Sequence, residues 1–156
     1  MLNSASQAYS STPDPKLRYI LVLSRVSYSF YFLYDLLGWC LKTGLLKGDA
    51  EKISRKTSQW WSTALFLMLL RDVYELKLNK KQHTTDSVKR ERSVFEVFAN
   101  NPPLLLDTMK NLMDLIVALH MWKKLSVSQG TVGLAGVISS LLGLIQVVFP
   151  KYKLLP

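Results

Sequence analysis

Residues 130–149, GTVGLAGVISSLLGLIQVVF, run for twenty positions without a charge and are punctuated by Gly130, Gly133, Gly136 and Gly143. Coiled into an α-helix at ~1.5 Å per residue, they reach ~30 Å, the depth of a bilayer's hydrocarbon core. A buried helix of a soluble bundle is the competing reading. Twenty uncharged residues exceed the usual length of a core helix, so a C-terminal transmembrane helix is expected. Pro150, which lacks an amide proton, marks its end. Lys151 and Lys153 follow, and Lys123 and Lys124 precede, so basic flanks do not orient the segment. Gly136 with Ser140, and Ser139 with Gly143, set small residues four apart, and with Gly133 they offer a surface for close helix packing, within the chain or in an oligomer.

Working outward, the chain has 156 residues, the size of one domain, and a formal charge of +9. Such a charge suits nucleic acid, an anionic membrane surface or an acidic protein. The basic residues gather at the ends of apolar segments rather than in a stripe, which favours membrane lipids and gives no sign of nucleic-acid binding. Cys40 is the single cysteine, so neither an intrachain disulfide nor a cysteine metal site is available. Residues 1–13 are Ser-rich with little apolar surface and are expected to be a flexible leader, without the pattern of a secretory signal. The remainder, 14–156, reads as one all-α membrane domain of about four to five helices.

Asp14 and Pro15 form an N-cap and first-turn proline for a helix reaching about Lys42, with Gly44 as its stop. Its aromatic residues, from Tyr28 to Trp39, suit either an interfacial belt or helix contacts. Asp35 lies within this apolar run and is expected to find a partner. A second helix, near 50–80, has an apolar centre of only eleven residues, 60–70, before Arg71 and Asp72; by length it is a poor independent span. Glu51, Lys52, Arg55, Lys56, Gln59 and Ser62 share one face of it, and Arg71, Asp72 and Glu75 the opposite one. The trio either pairs with other helices, the preferred reading, or is solvated where the helix leaves the apolar layer.

The polar stretch 77–92 is expected to be a solvated connection, with His83 a surface residue and Thr85 or Asp86 capping a short helix that ends near Ala99. Asn101 and Pro102 then repeat the cap-and-proline signal for a helix over about 103–125. On it Asp107, Lys110, Asn111 and Asp114 fall at i, i+3, i+4 and i+7, a polar seam on an otherwise apolar helix. Lys110 can reach both aspartates, and the rest could meet Arg71 or Asp35. A seam that fixes helix register is preferred to an ion or proton pathway. No phosphate loop, HExxH or G-x-S-x-G stands in the sequence, so no enzyme, cofactor or metal is expected.

Four stretches, LSRVSYSFYFLYDLLGW (23–39), SRKTSQWWSTALFLMLLRDVYEL (54–76), NPPLLLDTMKNLMDLIVAL (101–119) and GTVGLAGVISSLLGLIQVVFPKYKL (130–154), resemble the peroxisomal membrane protein 11 family in order and cover most of the chain. The Arg-Asp-x-Tyr-Glu of 71–75 and the Leu-Leu-Asp-x-x-Lys-Asn-x-x-Asp of 105–114 are the most specific. The resemblance implies an integral protein of the peroxisomal membrane that promotes elongation and division of peroxisomes. It also implies self-association, or association with other family members, and recruitment of a tail-anchored fission adaptor and a dynamin-like GTPase. Two departures stand out: the N-terminal amphipathic region that bends membrane in the family is not recognisable, and Val117, Ala118 and His120 replace a proline-containing continuation. A membrane pore or metabolite channel is the alternative, motivated by Asp35, Arg71, Asp107, Lys110 and Asp114 in apolar helices.

Overall fold

The computed structural model describes residues 15–82 and 101–152, and these hold four α-helices. They are α1 (Pro15–Lys42), α2 (Ala50–Gln82), α3 (Pro102–Met121) and α4 (Gln129–Val148), with a 3-10 turn at Pro150–Tyr152 and no strand among the described residues. The leader 1–13, the Asp14 cap, His83 and the short helix expected before Ala99 lie outside these residues. Of the connection 77–92, the part up to Gln82 continues α2 as helix.

Gly44 stops α1 with φ 78°, a left-handed conformation that glycine adopts without a Cβ clash, and its N–H donates to the Leu41 carbonyl. Asp49 caps α2, its carboxylate accepting from Lys52 N–H at 3.0 Å. Asn101 occupies the N-cap of α3, but its side chain makes no cap bond, and Pro102 and Pro103 dispense with donors there instead. Ser128 caps α4 by accepting from Thr131 N–H.

One boundary differs from expectation. Helix α3 ends at Met121 rather than near Leu125 because Lys123 takes φ 61°. Lys124 N–H then returns to the Leu119 carbonyl and Lys123 N–H to that of His120, the two bonds of a Schellman stop. Nothing in the residue types announces it, since a lysine occupies the place usual for glycine.

The helices alternate in direction and pack in chain order, α1 on α2, α2 on α3 and α3 on α4. Between α1 and α2, Phe30 stacks on Trp60 at 4.6 Å and Tyr31 on Trp61 at 5.8 Å, while Tyr74 packs on Leu17 and Leu21 at the opposite end. These aromatics are helix contacts; Trp39, Tyr19 and Phe32 face outward. Between α2 and α3 the buried residues repeat every seven positions, Ser58, Leu65 and Asp72 on one helix and Leu104, Asn111 and Ala118 on the other. This is the spacing of a supercoiled seam. Asp72 meets Asn111, and the antiparallel register then brings Leu65 level with Ala118. Ser62 is buried, although the helical wheel groups it with Glu51 and Lys52. Its small hydroxyl turns back to the Ser58 carbonyl at 2.7 Å, which satisfies it and lets the neighbouring backbone come close.

Candidate functional site

The charged residues of α2 and α3 meet in a buried ionic seam, and α4 closes it. Arg71 is 3% exposed and Asp72 fully buried. Both lie on α2 where it crosses the first half of α3. The Arg71 guanidinium donates to Asp72 Oδ1 from Nε at 3.0 Å and from Nη2 at 2.6 Å, and Nη2 also donates to Asp107 Oδ2 across the interface. Glu75, one turn along α2, stands 3.8 Å from Arg71 Nε. Asn111 donates from one amide to Asp72 and Asp107, at 3.4 Å each, and Gln146 of α4 reaches Asp107 Oδ1 at 3.4 Å. One guanidinium thus serves three carboxylates, with two side-chain amides supplying further donors. Charges removed from water are tolerated on those terms, paired and hydrogen-bonded, because an isolated one would cost several kcal/mol.

A second group lies further along α3. Lys110 Nζ donates to Asp114 Oδ2 at 3.0 Å, and Ser139 of α4 donates to Asp114 Oδ1. Lys110 therefore serves Asp114, while Asp107 goes to Arg71. The Lys110 stem passes over Gly143, where an added Cβ would sit 3.6 Å from its Cε.

The structure thus brings Arg71, Asp72, Glu75 and Asp107 together, and Lys110, Asp114 and Gly143 together. Asp35 stays apart: its side chain is exposed on α1 and joins neither group. The small residues of α4 divide in the same way. Ser139 and Gly143 face α3, whereas a Cβ at Gly133 or Gly136 would meet nothing within 4 Å, and Ser140 is exposed. Ser58, Gln146 and Arg25 were not singled out from sequence. A wheel drawn through Ser58, Leu65 and Asp72 could have found the first, and the position of Gln146 one turn beyond Gly143 the second. Arg25, whose Nε is buried without a hydrogen-bond partner among the described residues, gives no such signal. No group of three potential metal ligands occurs among the described residues.

The outer surface is the complement of this interior. Leu134, Val137, Leu141, Leu144 and Val147 on α4, and Leu23, Phe32, Leu33 and Leu36 on α1, are exposed, Val147 to 76%. By length and composition these two helices, α1 and α4, are suited to cross a membrane. Polar inside and apolar outside is the arrangement of a lipid-embedded bundle.

Comparison with known proteins identifies the family. The family model for Peroxisomal biogenesis factor 11 matches residues 1–148. Peroxisomal membrane protein 11A of Mus musculus is 34% identical over 96% of this chain and 71% of its own length. The Homo sapiens 11A protein is 32% identical over 88% and 66%, and the human 11B protein 25% identical over 99% and 74%. No solved structure matches the chain. With a family match over nearly the whole sequence and two helices fit to span a bilayer, the chain belongs to the peroxisomal biogenesis factor 11 family and is an integral protein of the peroxisomal membrane.

Proposed function

We propose that this chain promotes or regulates peroxisome elongation, division and proliferation as a non-enzymatic membrane scaffold. On this reading it assembles with copies of itself or with family members and brings in fission factors, namely a tail-anchored adaptor and a dynamin-like GTPase. The observation that supports it is the division of surfaces: Arg71, Asp72, Asp107, Lys110 and Asp114 are engaged with one another between the helices, and the exposed faces of α1 and α4 are mostly apolar. The open edge of α4 at Gly133, Gly136 and Ser140 is the surface this reading assigns to association with a second copy.

A pore would draw on the same seam. Yet Asp72, Asp107 and Asp114 already accept hydrogen bonds from Arg71, Asn111, Gln146, Lys110 and Ser139, which supports a seam that holds helices over one that passes solutes. Depletion tests the scaffold reading directly: loss of the chain should change the number or length of peroxisomes, and unchanged organelles would reject it. Purified protein in planar bilayers should be electrically silent. A conductance altered by Asp114→Asn would install the pore in its place.

A further inference from the structure

We infer that all four helices, not α1 and α4 alone, lie across the bilayer, and that the outer faces of α2 and α3 are seated against lipid acyl chains. Length and composition single out only α1 and α4 because such a measure counts charges wherever they point. In α2 the twenty residues between Lys56 and Lys77 would make ~30 Å of helix, a full hydrocarbon thickness. The only charged residues among them are Arg71, Asp72 and Glu75, all turned into the seam. What this segment shows outward is Thr63, whose hydroxyl returns to the Gln59 carbonyl, and then Phe66, Leu70 and Val73. Helix α3 is also 20 residues long; its Asp107, Lys110 and Asp114 are paired inward, and Leu105, Met109 and Leu112 are exposed. These faces continue the apolar surface of α1 and α4.

The charges that do face water stand at the two ends of the bundle. Lys42, Lys47, Lys52, Lys56, Lys123 and Lys124 are exposed at one end, and Lys77 at the other. That is the distribution of side chains set at two headgroup layers with an apolar slab between them. A surface location for α2 and α3 would instead require one face of each to be polar along its length. The outward positions Phe66, Leu70 and Val73 of α2 and Leu105, Met109 and Leu112 of α3 are apolar, so neither helix has such a face along its length.

The two arrangements differ in the fate of one position, and the difference does not depend on the role in division. If α2 and α3 cross, Lys77 lies on the opposite side of the membrane from Lys47 and Lys124. If they lie on the surface between two spans, all three share a side. The test uses the full chain with Cys40→Ser and, singly, Lys47→Cys, Lys77→Cys or Lys124→Cys, in sealed peroxisomes, where insertion has one orientation. A membrane-impermeant maleimide is applied before and after permeabilisation. The expected result is that Lys77→Cys and the other pair exchange behaviour, one labelling at once and the other only after permeabilisation. Labelling of all three from the same side overturns the inference. Phe66→Cys and Met109→Cys provide an independent reading at outward positions that the fold does not need: both should lose maleimide labelling even after selective permeabilisation, and ready labelling in intact bilayers would again overturn it.

Discussion

Three carboxylates, those of Asp72, Glu75 and Asp107, gather on the single guanidinium of Arg71. Arg71→Met would fill similar space but leave Asp72 and Asp107 buried without their cation, an expected loss of about 3–5 kcal/mol. Thermal unfolding of the purified protein in detergent should show it, and adding Asp107→Asn should restore part of the loss, since the two residues interact directly. At the watery end the balance is different. Glu51 Oε1 accepts from Lys123 Nζ at 2.7 Å and Arg55 Nη2 at 2.9 Å, and these bonds hold its carboxyl at about 2, below the ordinary 4.5. A depressed value means the pair contributes above pH 4.5 and fades as pH falls towards 2, though its exposure keeps the contribution small. An NMR titration should find the low midpoint, and Lys123→Ala should raise it. The polarity of 71–75 was legible from sequence; the choice of Asp107 over Lys110's reach was not, because two helices 36 positions apart in the chain decide it.

Among the elements, helix ends were the most legible feature. Pro15, Gly44, Asp49 and Pro102 all stand where α1, α2 and α3 begin or stop, since caps act over a few bonds and leave their mark in residue type. The seams between elements were less so. Glycine is conspicuous in α4, yet the small residues buried on α2 and α3 are Ser58, Ser62 and Ala118, which look ordinary in a sequence because any small side chain serves. Ala118→Leu should therefore overpack that seam at a cost of about 1–3 kcal/mol, read as a lowered unfolding temperature. Gly136→Ala places its methyl in open space and should leave the fold as stable or slightly more so, by up to ~1 kcal/mol. Chemical crosslinking of the two variants then separates packing inside the chain from association between chains: only the second substitution should weaken oligomers.

At the largest scale, the four helices among the described residues pack antiparallel in chain order, with an ionic seam between them and apolar side chains on their outer faces. A hydropathy reading finds the first and last helices and undervalues the middle two, for the physical reason that average composition has no direction. The ionic seam has a further consequence for how such a chain is made. Arg71 comes from one helix and Asp107 from the next, and an ion left in apolar surroundings without its counterpart is costly. Inserted singly, α2 would carry Asp72 and Glu75 against Arg71, without the Asn111 amide, and α3 two aspartates against Lys110. If both helices cross the bilayer, they are best accommodated when they enter lipid as an associated pair, each supplying the partners that the other's ions need.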